Sequence, residues 1–281
     1  MKKYIIFTDI DGTLYDSKNN CIPQSSLDTL NELNRKGHKI FMCTGRPYPD
    51  IHPDYFKLPV EGFILSCGAH ILMRSNTIYS NPIPYNILKK MLDFLIDHKI
   101  GFSLDGRDRN YLFDDALDVF RKFECRNMGV PFTTNEKADE LLAEHNMFPY
   151  DKCSESDLKQ ILKISIYTNN TNDLLEFMNQ LPNSMHGYIE KTKSVQYFAE
   201  ITLKENTKAS GIDKVLSLLN ESLDNTIAIG DGLNDLDMLR KANIGIAMGN
   251  ACNELKKIAD FITKDIQDDG FKYAFEYFKL L

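Results

Sequence analysis

The chain has 281 residues, 43% of them hydrophobic and 26% charged, with a net charge of −7. That length holds one large domain or two ordinary ones, and the composition is that of a soluble globular protein. No basic block offers a footprint for nucleic acid, no apolar run reaches membrane-spanning length, and the six cysteines (21, 43, 67, 125, 153 and 252) include no Cys-x-x-Cys pair for zinc or redox work.

Lys3 to Thr8 reads as a buried strand, and the run is cut at Asp9, too early for a signal peptide. Pro23 to Lys36 has helical spacing (Leu27, Leu30, Leu33), with Pro23 suited to its first turn and Gly37 to its stop. Lys39 to Cys43 and Glu61 to Ser66 read as further buried strands, followed by a small hairpin from Ile71–Met73 and Thr77–Tyr79. Strand and helix in alternation with short links predict a parallel sheet with right-handed crossovers.

The texture changes at Pro82 and Pro84. A helix over 86–99, a strand over 100–104 and a polar loop from Asp105 to Asn110 come next. Helices over 114–126 and 135–145, a strand over 161–168, a helix over 172–181 and a strand over 186–190 complete an α+β insertion. The first texture then returns. Val195, Tyr197, Ala199 and Ile201 alternate in a strand, 208–219 is a helix, and 226–230 is a short buried strand. A helix through Ala242, a strand over 244–248, a helix over 252–259, a strand over 261–263 and a last helix from Gly270 follow. The expected division is a core of residues 1–82 plus 188–281, with 83–187 inserted.

Chemistry concentrates where buried strands end, which is where open parallel sheets bind ligands. Asp9-Ile10-Asp11-Gly12-Thr13 follows the first strand, so alternation points Asp9 and Asp11 the same way. Two carboxylates held together repel unless a cation joins them or one keeps a proton. A calcium loop also begins Asp-x-Asp but needs Gly sixth and Glu twelfth, where Leu14 and Asn20 stand. Asp231 and Asp235, in Gly-Asp-Gly-Leu-Asn-Asp after another buried strand, complete a four-carboxylate pocket whose hard oxygens favour magnesium. Thr44-Gly45-Arg46 offers a hydroxyl and backbone N–H groups to phosphate, and Lys208 a point charge; taken singly, both occur as ordinary turns and surface charges.

In this order the four segments are specific, and the chain resembles the haloacid dehalogenase-like phosphatase superfamily, in its Cof-type branch with a C2-type cap between the second and third motifs. The resemblance implies an α/β fold: a Rossmann-like parallel sheet core with helices on both faces, plus an inserted α+β cap domain that selects substrate. It implies that Asp9 is the nucleophile, Asp11 the acid/base, and that Thr44 and Lys208 belong to the catalytic set. It further implies Mg²⁺ held by Asp9, Asp11 and Asp231 beside Gly232 and Asp235, with Ile10, Thr44, Gly45, Arg46, Lys208 and Asn234 around the phosphoryl group. The branch commonly carries Asn-Gly-Ala after the third strand; here it is Cys67-Gly68-Ala69. The implied activity is hydrolysis of a small phosphomonoester, a sugar phosphate or phosphorylated cofactor; the scattered cysteines, mostly in apolar contexts, fit a cytoplasmic protein, and charge and hydropathy give no nucleic-acid or membrane partner. A phosphomutase and a catalytically silent phosphometabolite-binding protein are the competing readings. Arg107, Arg109, Tyr111 and Phe113 are candidates for touching the substrate, and oligomeric state is not legible.

Overall fold

The computed structural model describes residues 2–113, 146–190 and 197–281. The chain opens with β1 (Ile5–Thr8), α1 (Gln24–Arg35), β2 (Lys39–Cys43), β3 (Gly62–Leu65), β4 (His70–Met73) and β5 (Asn76–Ser80). It continues through α2 (Tyr85–Asp97), β6 (Gly101–Gly106), β7 (Asn110–Leu112), β8 (Met147–Pro149), α3 (Glu155–Leu158), β9 (Ile161–Thr168), α4 (Thr171–Asn179), β10 (Met185–Glu190) and β11 (Tyr197–Leu203). It closes with α5 (Lys208–Leu219), β12 (Thr226–Gly230), α6 (Leu236–Lys241), β13 (Ile244–Ala247), α7 (Asn253–Ile258), β14 (Phe261–Ile262) and α8 (Gly270–Tyr277). The helices expected over 114–126 and 135–145 lie outside the described residues.

Two compact units result. The first comprises Met1–Arg46, His52–Ser80 and Asn206–Leu281. Its eight strands run β14-β13-β12-β1-β2-β3-β4-β5, parallel from β14 to β3, with the hairpin β4–β5 added antiparallel. All four residues of β1 are buried, as a strand covered on both faces requires. From β1 the sheet grows one way through β2 and the other way through β12 and β13, so right-handed crossovers put α1 on one face and α6 and α7 on the other. Helices α1 and α8 pack on each other, as do α5 and α6. The strand order reverses at β1, so this strand marks the switch point, and the ends of β1, β2, β3 and β12 line one rim.

The second unit comprises Pro47–Ile51 and Asn81–Glu205, with the sheet β10-β11-β9-β6-β7-β8. Leu104, Ile164, Ile166, Ala199 and Ile201 pack with Leu88, Leu92 and Leu95 of α2 and with Leu174 and Phe177 of α4. Between these apolar positions stand Asp105, Lys163 and Glu200. Lys163 Nζ lies 2.9 Å from Asp105 Oδ2 and also donates to Glu200 Oε1. Burial pushes the Asp105 carboxyl up to about 6, against the pull of Lys163. Asn110 Nδ2 donates to Asp50 Oδ1 at 2.7 Å, and Asn81 Nδ2 to Glu205 Oε1 at 2.7 Å across the two ends of the long insertion.

Three expectations change. The alternating strand β11 pairs antiparallel with β9 and β10, so it belongs with them in the second unit, which runs to Glu205, and Val195 of the expected strand lies outside the described residues. Asp105 and Asn110 are buried ends of paired strands, leaving only 107–109 as the loop between them. Tyr111 is a core residue at 2% exposure and Phe113 packs against that core, so both serve packing. Arg107 pairs with its neighbour Asp108, and Arg109 lies over the Phe148 ring.

Candidate active site

Everything in this site belongs to the first unit. Asp9 N–H donates to Ile229 O, which ties the tip of β1 to β12. The Ile10 carbonyl then accepts from Leu14 at 2.9 Å and Tyr15 at 2.7 Å, so the chain curls back directly after the strand. Gly12 makes that curl with φ +80. A β-carbon there would lie 2.3 Å from Asp231 Oδ2, so only glycine admits the Asp231 carboxylate so close. Thr13 is buried and donates its hydroxyl to Asp231 Oδ1 at 3.1 Å. Asn250 steadies the same turn: its Nδ2 donates to Gly12 O at 2.8 Å while its Oδ1 accepts from Ile266 N–H.

Lys208 opens α5 and is 1% exposed. Its Nζ lies 2.6 Å from Asp9 Oδ1 and 2.6 Å from Asp235 Oδ1. A buried cation survives only when paired in this way. Burial alone would lower the Lys208 pKa, but the Asp235 and Asp9 carboxylates overrule it and hold the amine charged. Burial and the Asp235 charge push the Asp9 carboxyl well up, against the pull of Lys208. The Asp231 carboxyl is pushed up to about 6, chiefly by burial and then by Asp235. Asp235 Oδ2 accepts from the N–H groups of Asp231 and Gly232, so this acid uses both oxygens in holding the loop and the lysine.

Among the described residues, Asp9, Asp231 and Asp235 form a group whose ligand atoms lie within 4.8 Å of one another. An all-oxygen donor set with one carboxyl raised to about 6 is short of positive charge, and a hard divalent cation would supply it.

Thr44 is buried at the end of β2 and its hydroxyl oxygen accepts from Arg46 N–H at 3.1 Å. Gly45 lies open between two side chains: a β-carbon there would be 3.4 Å from Cys67 Sγ and 3.7 Å from Asn234 Nδ2. The structure thus brings together Asp9, Ile10, Thr44, Gly45, Lys208, Asn234, Asp231, Gly232 and Asp235 at the rim. Arg46 meets Asp11 directly. Its Nε lies 2.8 Å from Asp11 Oδ2 and its Nη2 donates to Oδ1, a bidentate pair with half-exposed partners. Sequence reading placed Arg46 by the phosphoryl group and did not foresee this pairing. It also gave Thr13 and Asn250 no role; the place of Thr13 at the end of Asp-Ile-Asp-Gly-Thr was its only signal, and nothing local marks Asn250.

The chain belongs to the haloacid dehalogenase-like hydrolases, whose family model matches residues 6–275, and within them to the Cof-type phosphatases, enzymes of phosphomonoesters. It is 30% identical over 286 residues to the Bacillus subtilis protein YkrA, covering all of both chains. It is 26% identical to 5-amino-6-(5-phospho-D-ribitylamino)uracil phosphatase YitU of Bacillus subtilis, covering 99% of each. The structure of the sugar phosphatase BT4131, of subclass IIB, superposes with a TM-score of 0.76 at 26% identity, over 99% of this chain and 100% of that one. Among the described residues no helix is long and apolar enough to cross a membrane.

Proposed function

We propose that the protein is a magnesium-dependent phosphatase that hydrolyses a small phosphomonoester through a phosphorylated Asp9. The observation that carries this reading is Lys208, whose buried ammonium joins Asp9 to Asp235 at 2.6 Å on each side, next to Asp231. A nucleophile, a fixed cation and metal-binding oxygens thus share one rim, and phosphoryl transfer needs mainly such positioning and charge neutralisation.

In the first half-reaction an Asp9 oxygen attacks phosphorus as the bond to the leaving oxygen breaks, and Asp11 gives its proton to that oxygen. In the second, Asp11 takes a proton from water, whose oxygen attacks phosphorus and releases Asp9. Thr44 keeps its hydroxyl proton to donate to a phosphoryl oxygen, since its oxygen accepts from Arg46 N–H. The backbone N–H of Ile10, Gly45 and the Asn234 amide would hold the remaining oxygens. Asp9, Asp231 and the backbone carbonyl of Asp11 would hold Mg²⁺, with Asp235 and Gly232 fixing the loop; when bound, the ion screens the phosphate from Asp9 and acts as a Lewis acid. Arg46 must release Asp11 before this acid can donate. The insertion centred on the second unit would select the substrate's remainder, as a cap.

A panel of sugar phosphates and phosphorylated cofactors, assayed for free phosphate with magnesium and with EDTA, tests the reading. Turnover is expected for at least one ester with magnesium alone, and Asp9→Asn is expected to remove it while the fold persists. Full activity in Asp9→Asn would remove Asp9 from the nucleophile's role. A requirement for a bisphosphate activator would favour a mutase.

A further inference from the structure

Beyond the four motifs, a fifth segment at the rim has no assigned part: Ser66, Cys67 and Gly68, the turn after β3. All three residues stand in the left-handed region, with φ of 47, 52 and 94. Two of them carry side chains, and L residues enter this region only where surroundings compel them. The compulsion is visible. Ser66 N–H donates to Arg46 O and Cys67 N–H to Thr44 O, so the turn is clamped to the loop that carries Thr44 and Gly45. Its other side meets the start of α5. A β-carbon on Gly68 would lie 2.1 Å from Thr207 O and 2.8 Å from Thr207 C, which means that the Gly68 backbone rests directly on the residue before Lys208. One turn further along, a β-carbon on Gly211 would lie 2.4 Å from Ile64 Cγ2 and 3.5 Å from Gly68 Cα, so the first turn of α5 is seated on the end of β3 without a spacer.

We infer that the 66–68 turn is the positioning element for Lys208. It fixes the first turn of α5 at a separation only glycine permits, and so sets where the ammonium stands between Asp9 and Asp235 relative to the Thr44–Gly45 phosphate cradle. Gly68 is a positioning residue that acts through Lys208; it touches no reacting atom. The strain is retained because the turn must satisfy two partners at once, the carbonyls of Thr44 and Arg46 on one side and Thr207 on the other. This inference rests on the phosphatase reading above.

The test compares Gly68→Ala with Gly62→Ala. Gly62 begins β3, and a β-carbon there would lie 2.1 Å from Leu72 O, an equally hard clash at the opposite end of the strand. Both variants are assayed at a temperature where circular dichroism shows them folded, with p-nitrophenyl phosphate as substrate and inorganic phosphate as inhibitor. Gly68→Ala is expected to lower kcat/KM about 100-fold, the usual scale for an ångström of misplacement. It is also expected to weaken inhibition by inorganic phosphate about tenfold, because a lysine that grips a phosphoryl oxygen has moved. Gly62→Ala is expected to lower the melting temperature and leave both constants alone. Gly211→Ala, whose clash with an Ile64 methyl is softer, is expected to give the same pattern in weaker form, and decides the matter if Gly68→Ala does not fold. Wild-type kcat/KM and phosphate inhibition in folded Gly68→Ala or Gly211→Ala would overturn the inference while the phosphatase reading stands. A wild-type protein that hydrolyses no phosphomonoester would overturn both.

Discussion

Lys208 is one ammonium shared by two carboxylates, so its removal strips both of their cation. Lys208→Met leaves Asp9 and Asp235 buried beside each other with no cation, and breaking such a pair destabilises by about 3–5 kcal/mol. Urea unfolding should show that loss together with loss of turnover, whereas Asp9→Asn, which removes a charge from the cluster, should unfold at the wild-type midpoint or above it. Asp105 gives a pH signature elsewhere. Its carboxyl sits at about 6 in the fold against 3.8 ordinarily. Between those values the folded state holds a proton that the unfolded chain has released, so stability falls as pH rises through the window. About two units correspond to roughly 3 kcal/mol. Unfolding at pH 4.5 and 6.5 should show a smaller fall in Asp105→Asn than in the wild type; an identical fall would show that the proton is held elsewhere.

Among the elements, α5 joins local signals to the site. Thr207 and Ser210 form a capping box at its start, and Asn220, at φ 51, ends it. Thr207→Ala should cost about 1 kcal/mol of stability and, because Lys208 is the next residue, should lower kcat more than its effect on the melting temperature would imply. This helix was legible from its apolar spacing at Ile212, Val215, Leu216 and Leu219. β11 shows where such reading stops. Alternation at Tyr197, Ala199 and Ile201 announces a half-buried strand correctly, but a period of two does not say which sheet the strand joins, and pairing with β9 and β10 set it in the other unit. Asp105 and Asn110 bound a polar run that reads as loop, because polarity reads as exposure. In the fold they are buried strand ends whose side chains find Lys163 and Asp50.

For the molecule as a whole, the order of four strand-end motifs was legible because each lies within a few residues of a buried strand. Contacts that join distant segments were not: Arg46 with Asp11, Asn250 with Gly12, and Gly68 with Thr207 have no short-range signature. A cation held by the acid cluster, as proposed, would make global stability respond to metal. A cation that binds only the folded state raises the melting temperature, and protons compete with it at Asp231, whose carboxyl sits at about 6. Magnesium should therefore raise the melting temperature more at pH 7.5 than at pH 5, and Asp231→Asn should respond little at either. An equal response of wild type and variant would place the ion elsewhere.

The hydrogen bond between Asn81 and Glu205 holds the first and last residues of the long excursion side by side. Such an excursion works as a cassette, since closing a longer or shorter loop over the same gap changes the entropy of closure only slowly. If the inserted unit selects the substrate's remainder, as proposed, replacing it whole would change substrate preference and leave the rim of the first unit as it is. A chimera carrying residues 81–205 from a relative should keep its dependence on Asp9 while adopting the donor's preference among phosphate esters.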